Sequence, residues 1–192
     1  EQQLWIATDG SINRYDYATR QFIHYNIVDS TGMYNTNWTY YMFEDTAGQL
    51  WISTCLGGIF VVDKHKLMQS ASGQYVAEQN YSVHNGLSGM FINQIIPDNE
   101  GNVWVLLYNN KGIDKINPRT REVTKLFADE LSGEKSPNYL LCDEDGMLWV
   151  GFHGGVMRIN PKDESQQSIS FGSFSKGKGV RKGYLWVVVG IN

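Results

Sequence analysis

Short apolar runs, each closed by an acidic, glycine-bearing turn, recur along the chain. "WTYYMFE" at 38–44, "FINQIIP" at 91–97 and "NYLLC" at 138–142 run into "DTAGQLW" from Asp45, "DNEGNVW" from Asp98 and "DEDGMLW" from Asp143. An Asp carboxylate accepts backbone N–H groups across such a turn while Gly48, Gly101 or Gly146 takes a positive φ, so each turn predicts the tip of a β-hairpin. The tryptophan strand leads through a Gly-containing loop to a third strand, "GIFVVD", "GIDKIN" or "VMRIN". A turn opened by Asp16, Asn117 or Asn160 follows, with Pro118 and Pro161 placed to preset a type I turn. More polar fourth strands close the units: "QFIHYN" at 21–26, "QYVAEQNY" at 74–81 and "EVTKLF" at 122–127. No run of about ten residues or more carries the 3.6-residue period of an amphipathic helix.

The tryptophans of these phrases, Trp5, Trp51, Trp104, Trp149 and Trp186, stand 46, 53, 45 and 37 residues apart. A period of roughly 45 residues holding four antiparallel strands predicts an all-β fold, the β-propeller, with four-stranded blades. The inner strands are apolar on consecutive residues, which suits sheets covered on both faces. The register tryptophan is then a plug between adjacent blades. Repeats are expected at 1–36, 37–90, 91–137, 138–172 and, in part, 173–192. The first lacks its inner strand before Leu4 and the last has one tryptophan strand. The expectation is a partial ring of about four blades, cut from a larger ring or closing on itself, whose open ends self-associate.

Composition narrows the class. With 192 residues, 42% hydrophobic and 19% charged, the chain can bury a core. A net charge of −4 with interspersed signs argues against nucleic acid as a partner. Apolar runs such as "LWVVVG" fall far short of the roughly 20 residues that span a bilayer, so no membrane contact is expected within the segment. Beginning at Glu1 without a leader, it reads as a mature or excised piece of something longer. Cys55 and Cys142 are not expected to pair.

The phrase D-x-x-G-x-L/V-W-I/V with its Gly-rich loop, as in "EDTAGQLWISTCLGGIFVVD" and "DEDGMLWVGFHGGVMRINP", resembles the two-component regulator propeller repeat over residues 1–161. The resemblance implies the periplasmic sensor region of a hybrid histidine kinase of Bacteroides-type bacteria, in which paired propellers bind an oligosaccharide or similar cue. The kinase segment itself is not in the chain.

Catalytic patterns are thin. His24, His65, His84 and His153 are scattered without metal-ligand spacing. "GSFSKGKG" from Gly172 has Gly179 where a phosphate-binding loop needs Ser or Thr. The acids of "DEDG" repeat at hairpin tips, which a structural turn explains better than glycosidase chemistry. The tips are also similar to the sialidase Asp-box, but no arginine cluster accompanies them. No catalytic residue, cofactor or metal is expected.

If the D-x-x-G tips mark one face, the loops after the tryptophan strands and those entering the inner strands share the other. The position four after each register tryptophan holds Asp9, Cys55, Tyr108 or His153, a variety expected of a rim adapted to a ligand, or of solvated loops. Trp38 stands out of register beside Asn37, where aromatic face and amide suit a sugar ring, with core packing the competing role. The candidate ligand-binding residues are Asp9, Asn37, Trp38, Asn93, Tyr108, Asn109 and His153. The expected function is ligand sensing by a periplasmic propeller. Its expected partners are a small-molecule or oligosaccharide ligand and either the rest of the same sensor or a homodimer partner. A closed propeller acting as a protein-interaction scaffold is the alternative.

Overall fold

The computed structural model describes residues 3–70, 74–108 and 112–170. Asn109, the Gly/Lys-rich stretch from Gly172 and the fifth tryptophan phrase lie outside the described residues.

Sixteen described strands form four four-stranded sheets, the blades of a β-propeller fold. The first blade holds β1 (Trp5–Thr8), β2 (Ser11–Asp16) and β3 (Gln21–Val28); the second opens with β4 (Thr39–Glu44), β5 (Gln49–Thr54) and β6 (Ile59–Asp63). A short helix α1 (Lys64–Gln69) follows, then β7 (Gln74–Val76) and β8 (Gln79–Tyr81). The third blade is β9 (Ile92–Pro97), β10 (Val103–Leu107), β11 (Ile113–Asn117) and β12 (Glu122–Leu126). The fourth is β13 (Pro137–Cys142), β14 (Leu148–Phe152), β15 (Gly155–Ile159) and β16 (Gln166–Ser170).

The segment predicted as one fourth strand, 74–81, is two strands in different sheets. β7 pairs in parallel with β3 of the first blade, whereas β8 pairs antiparallel with β6 of the second. The chain crosses over at Ala77 and Glu78: the Ala77 amide donates to the Val28 carbonyl, and the Glu78 carboxylate accepts from the Asp63 amide. Asp63 also caps α1 by accepting from the Lys66 amide at 3.0 Å. That six-residue helix is too short to show a period, and it is fixed by its cap and by the buried Leu67.

The chain divides into two compact units, Glu1–Ile95 and Ile96–Asn192. In the first, Ile12, Tyr25 and Ile27 of the first blade pack with Leu50, Ile52, Phe60 and Val62 of the second. In the second, Trp104 and Leu106 of the third blade pack with Leu140, Leu148, Val150 and Phe152 of the fourth. Trp104 is thus the expected plug between neighbouring blades, fully buried, and Trp51 is buried between the stacked rings of Phe43 and Tyr81.

The tips take the predicted form and add a bond to it. Gly48, Gly101 and Gly146 have φ of 77°, 84° and 76°. One oxygen of Asp45 accepts the Ala47 and Gln49 amides, both at 2.9 Å; the other accepts the indole N–H of Trp51 at 2.9 Å. Asp98 binds the Glu100 and Asn102 amides and Trp104 in the same way, and Asp143 binds the Met147 amide and Trp149, with indole distances of 2.9 and 2.7 Å. Each acid therefore ties its turn to the blade's register tryptophan, buried at Trp51 and Trp104 and half-buried at Trp149.

Gly101 has open space where a Cβ would stand, so its positive φ alone resists substitution. Gly101→Val is expected to lower stability by about 1 kcal/mol or more through that backbone strain, measured by denaturant unfolding. An unchanged midpoint would refute the assignment.

At Asp143 burial disfavours the charge, but the Trp149 indole, the Met147 amide and the charge of Arg158 together outweigh it and hold the carboxyl below its usual range. A carboxyl depressed on folding contributes stability that is complete above its unfolded pKa of about 3.9 and lost as pH falls through the folded value. Asp143→Asn should therefore flatten the loss of stability below about pH 4 while lowering stability at neutral pH, as read by pH-dependent unfolding.

Candidate functional site

The loops opposite the tips are joined by backbone hydrogen bonds. In the unit Glu1–Ile95, the Trp38 amide donates to the Asp9 carbonyl at 3.0 Å, and the Cys55 amide donates to the Trp38 carbonyl at 2.9 Å. Trp38 thus stitches the end of β1 to the end of β5. It adopts a φ of 57°, a left-handed conformation uncommon for a bulky residue.

Two buried threonines set that conformation. Thr36 bonds through its hydroxyl to Ser11 and to the Ile27 carbonyl, and the Thr39 hydroxyl donates to the Thr36 carbonyl at 2.7 Å. With Thr36 and Thr39 drawn inward, Asn37 and Trp38 between them point out. Trp38 is 51% exposed, so the core-packing alternative for it does not hold.

Beside the indole lies a cavity of about 200 Å³ lined by Met33, Tyr34, Asn35, Asn37, Trp38, Cys55, Leu56 and Gly57. Its floor is tight at Gly57, where a Cβ would come within 2.7 Å of the Asn35 carbonyl and the Thr54 hydroxyl. A second cavity of about 450 Å³ shares Met33 and Tyr34 and extends over Asp29, Thr31, Gln79, Asn80, Ser82, His84 and Asn85. Its amides and acids are largely engaged. The Asp29 carboxylate takes the amides of Thr31 and Tyr34 and the Thr31 hydroxyl; despite burial these bonds hold its carboxyl below the usual range. Asn80 donates to the Gly57 carbonyl.

The structure brings together Asp9, Asn37 and Trp38. Asn93 is exposed on β9; Tyr108, 66% exposed, follows β10, and His153 is exposed in the turn after β14. Cys55 departs from the varied rim: it is buried and pairs in an isolated bridge with Phe91. Both cysteines are free thiols. Met33, Tyr34 and Leu56 were not legible as site residues, since only the close approach of Gly57 to Asn35 brings them to one depression. Among the described residues no group of His, Cys, Asp or Glu is placed to hold a metal ion, and no helix is long and apolar enough to cross a membrane.

A domain of repeated, hairpin-locked blades with varied loops at the opposite end is a propeller repeat protein. The two-component regulator propeller model matches residues 86–109, so the chain carries a stretch similar to that repeat. Two solved structures of the extracellular domain of BT4673 from B. thetaiotaomicron are similar at 96% identity and a TM-score of 0.87 over 91% of this chain. They are assigned in one case to a one-component and in the other to a hybrid two-component system. The chain spans only 24% and 23% of their lengths. These neighbours are extracellular domains, in accord with the periplasmic, extracytoplasmic placement expected for the segment. The extracellular domain of BT3049 from the same organism matches at 20% identity and a TM-score of 0.66, over 88% of this chain and 21% of that one, and shares the fold. No curated protein matches the chain.

Because Trp38 occupies a left-handed backbone, Trp38→Gly should raise or preserve thermal stability, offsetting lost contacts with roughly 1 kcal/mol of relieved strain. A fall of several degrees in the melting temperature would mean that the indole packs as a core residue.

Proposed function

We propose that this segment is part of the ligand-capturing surface of an extracytoplasmic sensor in a hybrid two-component system, and that the captured cue is an oligosaccharide. The observation that carries the reading is Trp38, a half-exposed indole on a backbone fixed by two main-chain hydrogen bonds and flanked by two buried threonines, lining one depression with Asn35 and Asn37. A fixed aromatic face with amides at its edge stacks on a sugar ring and bonds its hydroxyls without further ordering. Asp9, Asn93, Tyr108, Asn109 and His153 are the further rim positions of this proposal. Capture biases the arrangement of the sensor and so its signalling output, for which a coupling of about 1–3 kcal/mol suffices. The similarity to an extracellular two-component domain supports the sensing role.

The test is a glycan-array and thermal-shift screen of the complete extracellular region, followed by titration of variants. Trp38→Ala, Tyr108→Ala and His153→Ala are expected to weaken binding at least about tenfold with little change in stability. Trp104→Ala should leave binding specificity intact and lower stability by roughly 3–5 kcal/mol, as loss of a buried aromatic does. Wild-type binding by every rim variant, or a stable protein partner in place of any glycan, would refute the reading.

A further inference from the structure

The connection between β3 and β4, residues 29–38, walls both depressions of the unit Glu1–Ile95. Its course is fixed along its length. The Asp29 amide donates to the Tyr34 carbonyl at 3.0 Å and the Tyr34 amide to the Asp29 carboxylate at 2.8 Å; the Thr36 amide donates to the Ile27 carbonyl and the Trp38 amide to the Asp9 carbonyl, both at 3.0 Å. Across the larger depression stands the segment after β8. There Ser82 and Asn85 cap each other, with the Ser82 amide 2.6 Å from the Asn85 side-chain oxygen and the His84 amide 3.3 Å from the Ser82 hydroxyl. His84 is thereby held with its Nε2 3.4 Å from the Tyr34 hydroxyl. Both walls are built before any ligand arrives, which lowers the ordering cost of binding.

Size separates the two depressions. Pockets that enclose a small ligand run from about 300 to 1,000 Å³. The depression beside Trp38, about 200 Å³, falls below that range, whereas its neighbour of about 450 Å³ lies within it. Met33 and Tyr34 line both, so the two adjoin at that ridge. The larger one is polar, with amides from Gln79, Asn80 and Asn85 and a hydroxyl from Ser30. Its two acids are Asp29, whose carboxylate takes the neutral Thr31 and Tyr34 groups, and Glu78, whose carboxylate takes the Asp63 amide and the Tyr75 hydroxyl and pairs with Lys66. Among the described residues no Lys or Arg lines either depression. A wall that carries carboxylates and no cation suits hydroxyl groups and disfavours a carboxylate or sulfate on the ligand.

We propose that the two depressions are adjoining subsites for one uncharged oligosaccharide, which stacks one ring on Trp38, passes over Met33 and Tyr34, and seats a further unit between Asp29 and His84. This rests on the sugar-binding reading of Trp38 and adds two requirements to it: a ligand longer than one ring, and no negative charge on the unit beyond Tyr34.

The experiment titrates the complete extracellular region with a ladder of neutral hexose and pentose oligomers from the monosaccharide upward, and with hexuronate oligomers of the same lengths. Affinity for the neutral oligomers that bind is expected to rise at least about tenfold from the shortest to those that fill both subsites, and the matching hexuronates to bind at least about tenfold more weakly. Ser30→Phe, which fills the larger depression, and His84→Ala, which removes its far wall, should each abolish that gain with length while leaving the shortest binding oligomer unaffected. Both residues are exposed, and a thermal melt of each variant confirms that the fold is retained. Affinity that does not depend on length, a length gain that survives both substitutions, or hexuronates that bind as well as neutral oligomers would overturn the two-subsite proposal while leaving the Trp38 reading intact, provided that Trp38→Ala still abolishes binding. No binding of any oligomer, or binding indifferent to Trp38→Ala, would overturn both.

Discussion

The indole N–H of a tryptophan packed into a blade needs an acceptor, and at Trp51, Trp104 and Trp149 the acceptor is the carboxylate that also closes the adjoining turn. The division of labour at Asp45 and Asp98 explains why the residue is an acid. One oxygen serves two turn amides while the other serves the indole. An asparagine would have a single acceptor oxygen, and its amide group would face either the turn or the indole as donor against donor. Phenylalanine in place of the tryptophan would fill space between blades but leave the turn unanchored. Local turn chemistry and long-range packing are therefore one interaction, made at Asp45–Trp51, Asp98–Trp104 and Asp143–Trp149.

The turns, the strand order within each hairpin and the register tryptophans were legible because they recur at fixed positions beside turns whose contacts are local in sequence. Asp16, Asn117 and Asn160 open turns as their side-chain acceptors require, each bonding the amide two residues on. The indole bond was not legible despite its constant six-residue spacing, because turn chemistry alone accounts for one carboxylate oxygen and leaves the other's partner unspecified. The split of 74–81 was not legible at all. Its alternation suits one strand, and the break at Ala77 is imposed by the Val28 carbonyl and the Asp63 amide, partners far away in sequence.

The candidate surface was legible in part for the same reason. Trp38 was singled out by being out of register, but its exposure follows from Thr36 turning inward to Ser11 and the Ile27 carbonyl and Thr39 to the Thr36 carbonyl, which no pattern of hydrophobicity encodes. Cys55 shares the rim position of Asp9, Tyr108 and His153 yet is buried, because the chain passing from Met90 to Phe91 pairs with the end of β5 and covers it.

The two ends of a blade therefore obey different constraints. At the tips, one acid, one glycine and one indole satisfy each other, and a change in any of them leaves a buried polar group or a strained backbone without compensation. At the opposite end the bonds between loops run through main-chain atoms, as from Trp38 to Asp9 and Cys55, and these persist whatever side chain is carried. Side chains there are free to differ from blade to blade without unlocking the sheets. A fold built this way can vary the side chains at one end while its stability is fixed at the other.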